Sequence, residues 1–135
     1  MAIIDGLILE LAHEARTTQR FLERVPASLL DWRPHAKSMT TAALASHIAD
    51  IPNWALAIIH QEEFEDLSDA PKFLGRSAAE LVAHFDKNVA EASAAMNGFP
   101  DEKMFAPWTY KFDGHTVLTL PRVVVLRSFV MNHLI

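Results

Sequence analysis

Residues 40–60 read TTAALASHIADIPNWALAIIH, and this stretch does most to decide the predicted fold class. Apolar residues recur along it at steps of three and four, which is typical of an amphipathic helix that buries one face. These apolar positions are Leu44, Ile48, Ile51, Ala55 and Ile58. Ser38 or Thr40 can cap the start of this helix. Pro52 predicts a kink or a restart within it, because proline removes a backbone hydrogen bond and clashes with the preceding turn.

The same periodicity predicts a helix before this stretch and another after it. The first runs from residue 3 to about residue 24, and Pro26 ends it. Ser77-Ala-Ala-Glu80 is the signature of a capping box, in which serine and glutamate side chains satisfy free backbone donors. The third helix therefore begins there, and Asn97-Gly98 ends it.

A fourth helix is predicted to begin with Pro121 as its first residue. Residues 61–76 are polar and are predicted to form a loop, whereas residues 99–120 form either a hairpin around Asp113-Gly114 or an ordered long loop. The sequence thus predicts an all-α fold, a four-helix bundle with a long crossover loop before the last helix. The apolar stripes are expected to share one core that contains Leu44, Ile48, Ile51, Phe85, Val89, Leu126 and Val130.

The composition limits the classes of protein to which this chain can belong. Its 135 residues predict a single domain over 1–135, and a half-hydrophobic sequence with four glycines suits a helical protein with a real core. The net charge of -5 and the scattered basic residues argue against a nucleic-acid partner. No apolar run approaches the roughly 18 residues of a membrane span, and no secretory signal is recognisable, so we expect a soluble cytoplasmic protein.

The absence of cysteine excludes several kinds of chemistry. Disulfides, a protein thiolate nucleophile, cysteine-bound zinc and iron–sulfur clusters all need that residue. The sequence also lacks a G-x-S-x-G nucleophile elbow and a glycine-rich phosphate loop. If the protein is an enzyme, its reactive group must therefore be recruited, as a metal-bound water or as the thiol of a cosubstrate.

Two histidines are the main candidates for a functional site. His47 and His133 lie on the apolar stripes of the second and fourth helices, so each imidazole is expected to point toward the interior of the bundle or its rim. One interpretation makes each a core residue bonded to a hydroxyl or a carbonyl. The other makes them ligands of one metal, with ring nitrogens roughly 3 to 3.5 Å apart for bonds of about 2.1 Å.

Other candidates have less support. Glu10-x-x-His13 resembles half of the di-iron pattern of helical bundles, but no second pair is present, because His84 follows Glu80 by four residues. Trp54 lies on the same side of the second helix as His47. Packing in the core is the favoured interpretation of Trp54, and a role as a pocket wall is the alternative. The histidines expected to be solvated are His35, His60 and His115.

Several pieces of sequence, in their order and spacing, point to a known family. They are Leu30-Asp-Trp-Arg-Pro-His-Ala-Lys-Ser-Met-Thr, Leu44-Ala-Ser-His47-Ile-Ala-Asp, Trp54, Asn132-His133, and a first helix with Glu14-x-x-Thr17 and Phe21-Leu22 before Val25-Pro26. With these pieces, nearly the whole chain resembles the DinB/YfiT-like family of helical-bundle proteins. The resemblance implies a four-helix bundle, often dimeric, that holds a divalent metal with three histidines.

Carried over to this chain, the resemblance makes His47 the first metal ligand and His133 the second. The third is expected at position 137, beyond Ile135, so the chain departs from the family pattern either because the fourth helix is truncated or because the ligand has been lost. The implied ion is zinc, nickel or manganese. Some relatives are transferases that use a low-molecular-weight thiol such as bacillithiol or mycothiol, and others have hydrolase assignments. The implied partners are therefore a thiol cosubstrate and a second copy of the chain.

Two interpretations of function remain. In the first, the protein is a divalent-metal-binding enzyme of thiol-transferase or hydrolase type. In the second, it is a noncatalytic helical bundle with an incomplete metal site, which binds a partner or a small molecule.

Overall fold

The computed structural model describes all residues from Met1 to Ile135 and contains five helices and a small sheet. The helices are α1 (Ile3–Glu23), α2 (Thr41–His60), α3 (Ala78–Met96), α4 (Asp101–Met104) and α5 (residues 122–134). A single 3-10 turn at Ala27–Leu29 follows α1. The predicted bounds of the first and third helices agree with α1 and α3 to within a residue or two.

The caps explain why α2 and α3 begin where they do. Thr40 caps α2, because its hydroxyl accepts a hydrogen bond from the backbone nitrogen of Ala43 at 3.1 Å. Ser77 caps α3 in the same way and accepts from the nitrogen of Glu80 at 3.1 Å. The Glu80 carboxylate accepts from the nitrogen of Arg76 at 2.8 Å, one residue before the cap. Each cap satisfies a donor that has no partner within its helix.

Pro52 interrupts α2, as the sequence predicts. The helix is α-helical over Thr41–Asp50, tightens to a 3-10 turn over Ile51–Asn53 and resumes as an α-helix over Trp54–His60. The proline sits where it needs no hydrogen-bond donor of its own. The restart gives α2 two halves, with His47 in the first and Trp54 at the start of the second.

Helix α5 contains a wide turn in its middle. It is α-helical over Arg122–Val125, π-helical over Leu126–Met131 and α-helical again over Asn132–Leu134. A π-turn spaces its hydrogen bonds five residues apart. Buried residues follow the same spacing in two pairs, which are Val125 with Val130 and Leu126 with Met131. The wide turn therefore sets the direction of the final turn, which carries His133.

Three strands form a mixed sheet at one end of the helices. Strand β1 (Glu63–Asp66) pairs in parallel with β2 (Pro107–Phe112), and β2 pairs antiparallel with β3 (His115–Pro121). The two-residue loop between β2 and β3 has positive φ angles, 45° at Asp113 and 82° at Gly114. Asp-Gly favours this backbone, whose twist matches that of the flanking strands.

The prediction of an all-α four-helix bundle is therefore wrong. Residues 99–120, the predicted crossover loop, contain α4 and most of a hairpin, so the hairpin alternative is the one that the structure adopts. The predicted loop 61–76 contains β1, which has Phe64 as its only apolar residue. Such a strand carries no hydrophobic alternation of its own. It forms because the edge of β2 offers backbone partners from a distant part of the sequence.

The expectation of one shared core is also wrong, because the buried apolar residues form two clusters. Leu126 and Val130 belong to a cluster of fifteen residues drawn from all five helices and β2. Phe85 belongs to a cluster of five between α1, α2 and α3. Leu44 is 50% exposed. In the first half of α2 the buried residues are the small ones, Ala42, Ala45, Ser46 and Ala49.

Small residues on this face of α2 let α3 approach closely. The amide nitrogen of Asn88 on α3 donates to the carbonyl oxygen of Ala49 at 3.0 Å. The hydroxyl of Ser46 accepts from the backbone nitrogen of Gly75 at 2.8 Å. A leucine on this face would hold the helices apart, so the rotation of α2 that buries the alanines turns Leu44 outward.

Two buried side chains connect the carboxyl end of α2 to the rest of the fold. The indole nitrogen of Trp108, on β2, donates to the carbonyl oxygen of Ala57 at 3.2 Å. Arg122, at the start of α5, donates from Nε to the carbonyl oxygen of Ile58 and from Nη2 to that of Gln61, both at 2.9 Å. Carbonyl groups at a helix end need such partners when they are buried.

Helix α2 is also the one helix that length and composition would allow to cross a membrane. Its most apolar window has a mean hydropathy of 1.3, although no uninterrupted apolar run of that length exists. In the structure 56% of that window is buried inside the protein. The core helix of a soluble protein meets the same criteria, and the packing of α2 against α3 and α5 accounts for its apolar residues.

We expect Leu126→Ala to lower the free energy of unfolding by about 2 to 5 kcal/mol, because it opens a cavity in the larger cluster. Leu44→Ala is the matched control and should change that free energy by less than about 0.5 kcal/mol, as surface substitutions do. Urea unfolding followed by circular dichroism measures both. Equal losses in the two variants would contradict the assignment of the buried faces.

Candidate metal centre

The structure brings His47 and His133 together. The Nε2 atoms of the two rings are 3.3 Å apart, and the ring planes are inclined by 63°. This separation lies within the range of roughly 3 to 3.5 Å that two nitrogen ligands of one ion would have. His47 comes from the first half of α2 and His133 from the last turn of α5, so the contact depends on how these two helices pack.

Both histidines lie at the rim of the structure and not in its interior. Each residue is exposed over its surface as a whole. The ring of His47 is nevertheless partly buried, and this loss of hydration lowers its pKa from the usual 6.5. The nearby His133 and Lys72 lower that pKa further, whereas Asp50 opposes the shift. His47 is therefore neutral at neutral pH, which is the form that binds metals.

No third donor completes this pair within the described chain. No group of three histidine, aspartate or glutamate side chains is placed to hold a metal ion. Asp50 follows His47 by one helical turn, but its carboxylate bonds Nε2 of His84 at 2.7 Å. The His84 ring in turn stacks on Phe73, with ring centroids 3.7 Å apart. The two Nε2 atoms of the histidine pair share a hydrogen bond, and their 3.3 Å separation fits two positions of a ligand set.

Two clefts border the histidine pair. The His133 cleft, of about 520 Å³, is lined by His47, Trp54, Asp66, Tyr110, Ser128, Phe129, Asn132 and His133. The Lys72 cleft, of about 300 Å³, shares His47, Trp54 and Asp66 and adds Asp50, Asn53 and Lys72 among others. Trp54 stands between the two clefts. Its alternative interpretation as a pocket wall is the one that fits its position.

An aromatic cluster forms the wall around Trp54. Its ring meets those of Phe64, Tyr110 and Phe129 edge to face, with centroid distances of 5.0, 5.6 and 5.5 Å. Such edge-to-face pairs are favourable beyond the area that they bury. Because the four rings come from α2, β1, β2 and α5, the wall exists only when helices and sheet are assembled.

Tyr110 and Asp66 form a fixed polar pair beside this wall. The Tyr110 hydroxyl donates to Oδ2 of Asp66 at 2.8 Å. Partial burial and this hydrogen bond raise the pKa of Tyr110 to about 12. The phenol is therefore protonated at neutral pH and acts through hydrogen bonds and not as a phenolate.

The remaining sequence candidates do not join the site. Glu10 forms an ion pair with Arg127, so its carboxylate is engaged away from any di-iron arrangement. The histidines that were expected to be solvated are exposed, namely His35, His60 and His115.

Sequence reasoning missed Asp66, Tyr110 and Asp50. Asp66 lies in a predicted loop and Tyr110 in a segment predicted as either a hairpin or a long loop, and the two meet only because β1 pairs with β2. For Asp50 a signal was available, because a residue three positions after His47 lies on the same side of a helix.

The family assignment follows from comparison with known proteins. The family model of the DinB superfamily matches residues 10–129. The chain therefore belongs to the DinB superfamily, and the resemblance found in the sequence is confirmed. Comparison with curated proteins and with solved structures gives no match.

We expect the His47 ring to titrate below pH 6.5 in metal-free protein and to shift upward toward 6.5 in His133→Ala, which removes the neighbouring charge and some desolvation. Ring-proton NMR across a pH series measures this pKa. Since the pKa of His47 is lower in the folded than in the unfolded protein, His47 lowers the free energy of unfolding as the pH falls through about 6.5. Above that pH it has no such effect.

His115→Ala is the control for this titration, because His115 does not contribute to the shift of His47. A His47 pKa at or above 6.5 in the parent protein, or an equal response to both substitutions, would contradict the proposed electrostatics.

Proposed function

We propose that this protein binds one divalent metal ion through His47 and His133 and is a metal-dependent enzyme of thiol-transferase or hydrolase type. The observation that carries the proposal is the 3.3 Å approach of the two Nε2 atoms. Each ring would offer its Nε2 lone pair to the ion in the neutral tautomer that carries its proton on Nδ1. Membership of the DinB superfamily is consistent with the metal-binding part of this proposal.

Different features of the structure would prepare His47 and His133 for metal binding. The low pKa of His47 keeps its lone pair available below the pH at which a free imidazole would be protonated. His133 is held by the final turn of α5, whose direction the preceding π-turn sets. In the family pattern a further histidine follows the second ligand by four residues, a spacing that places both on the same side of a helix.

A bound zinc, nickel or manganese ion would supply a Lewis acid that lowers the pKa of a coordinated water or thiol. Imidazole nitrogen is a suitable ligand for such ions. The chain has no cysteine, so a thiol nucleophile would come from a low-molecular-weight cosubstrate. This requirement is consistent with thiol transfer, and a water nucleophile would give hydrolysis instead.

The surrounding residues would position the reactants. The rings of Trp54, Phe129 and Tyr110 exclude water from one side of the His133 cleft. Asp66 orients the Tyr110 hydroxyl by accepting a hydrogen bond from it. The phenol oxygen therefore keeps a lone pair that can accept a hydrogen bond from the substrate. Both features sit beside the histidine pair, where a substrate would need to be oriented.

We also propose that the protein works in the cytoplasm as a homodimer. Exposed apolar side chains on α1 support self-association, since Leu9 is 63% exposed and Phe21 is 72% exposed. Sedimentation velocity tests the dimer, and a monomer at all accessible concentrations would contradict it.

The first test is metal binding by the purified, untagged protein. A metal that binds only the folded state stabilises it by about 2.7 kcal/mol at a concentration of 100 Kd, so the melting temperature should rise by several degrees. His47→Ala and His133→Ala should each abolish this rise. His35→Ala and His115→Ala are matched controls and should keep it.

Equal melting temperatures with and without excess zinc, nickel or manganese in the parent protein would favour the alternative, a noncatalytic bundle with an incomplete site. The lack of a three-residue donor group within the described chain is the observation that keeps this alternative in place.

The second test asks whether the direction of the last turn suits a further ligand. Appending Ala-His after Ile135 would place an imidazole four residues after His133, whereas Ala-Ala adds the same length without a ligand. We expect the Ala-His form to bind metal more tightly than the Ala-Ala form, because i and i+4 side chains share a helix face. Isothermal titration calorimetry measures both affinities, and identical values would contradict this part of the proposal.

A further inference from the structure

The wall of the His133 cleft contains one acidic residue and no lysine or arginine. Of its eight lining residues, Asp66 is the only aspartate, glutamate, lysine or arginine. Ser128 and Asn132 are polar and neutral, and Trp54, Tyr110 and Phe129 supply aromatic surface. The cleft thus combines an apolar wall with a single carboxylate.

Asp66 forms no ion pair with a lysine, arginine or histidine of the protein. Asp66 takes part in none of the five ion pairs of the structure. Its side-chain partner is the neutral hydroxyl of Tyr110, and the one lysine of the sheet, Lys111, is paired with Glu63 at 3.1 Å. Lys72 lines the neighbouring cleft together with Asp66 but forms no ion pair with it. Asp66 is also half-buried, which weakens the screening of its charge by water. A negative charge in this position favours a positively charged ligand.

The aromatic surface indicates what the rest of the ligand resembles. Trp54 and Phe129 meet at 5.5 Å, and Tyr110 and Phe129 also meet at 5.5 Å, so the three rings form one continuous wall. Flat apolar groups pack well on such surfaces, and aromatic rings attract organic cations as well.

We propose that the His133 cleft binds an organic ammonium ion with an aromatic or other apolar body. The ammonium group lies at Asp66, and the body lies across Trp54 and Phe129. As the substrate class of an enzyme, this amine rests on the proposed function, because the same cleft contains the histidine pair. As a binding site, it rests on the cleft alone.

The neighbouring Lys72 cleft does not carry the same selectivity. Its lining includes Lys72 together with Asp50 and Asp66, so charges of both signs face it. Tyr110 and Phe129 line only the His133 cleft, so an amine with an aromatic or apolar body is expected on their side of Trp54.

The test compares two probes that share a phenyl ring on a short chain but differ in charge, 2-phenylethylammonium and 3-phenylpropanoate. Isothermal titration calorimetry is done on the full chain after removal of metal with EDTA, at low salt. We expect the cation to bind at least tenfold more tightly than the anion. Equal affinities, a preference for the anion, or no saturable binding of either probe below about 10 mM would overturn the proposal.

Variants then locate the site. Asp66→Asn keeps an oxygen that accepts from Tyr110 but removes the charge, and it should abolish the preference for the cation. Asp69→Asn removes the same charge from an exposed position outside the cleft and should leave the preference unchanged. If Asp66→Asn does not fold, the test is made in the parent protein by following the indole N–H signal of Trp54 in NMR spectra as each probe is added. It should shift with the cation at concentrations where the anion leaves it unmoved, and no shift would overturn the proposal.

The two proposals can fail separately. Preference for the cation in a protein that binds no metal would contradict only the proposed function. Metal binding through His47 and His133 without any preference between the probes would contradict only this inference.

Discussion

The carboxyl end of α2 imposes the constraint on which the rest of the structure depends. A helix leaves its last carbonyl groups without partners, and inside a protein these groups must be satisfied. Trp108 and Arg122 satisfy the carbonyls of Ala57, Ile58 and Gln61 and are themselves buried. Because Trp108 belongs to β2 and Arg122 begins α5, one set of hydrogen bonds joins the sheet and the last helix to α2.

This connection explains where the clefts form. With β2 held against α2, its free edge pairs with β1, and Phe64 lies opposite Tyr110 in that pairing. Both rings then reach Trp54 at the start of the second half of α2. Asp66, two residues after Phe64 on β1, accepts a hydrogen bond from the Tyr110 hydroxyl. The polar and aromatic parts of the site are thus consequences of the same attachment.

The histidine pair depends on two departures from regular helices. The small residues in the first half of α2 allow this helix to pack closely against α3. Their burial turns the opposite side of α2, which carries His47, toward the surface. The π-turn of α5 lets residues five apart share a buried face and so directs the final turn with His133. An unbroken α-helix would rotate His133 about its axis relative to α2. π-Turns occur often at functional sites, and this one immediately precedes a candidate ligand.

The sequence by itself determined what depends on neighbouring residues. The caps at Thr40 and Ser77, the interruption at Pro52 and the tight Asp113-Gly114 turn are local effects of side-chain chemistry and backbone freedom. The apolar stripes singled out His47 and His133, and the family resemblance made them candidate metal ligands. Only the tertiary structure decided that β1 exists, that Leu44 faces outward and that Asp66 meets Tyr110. These features depend on hydrogen bonds and close packing between distant segments, and such contacts leave no periodic signal in the sequence of either partner.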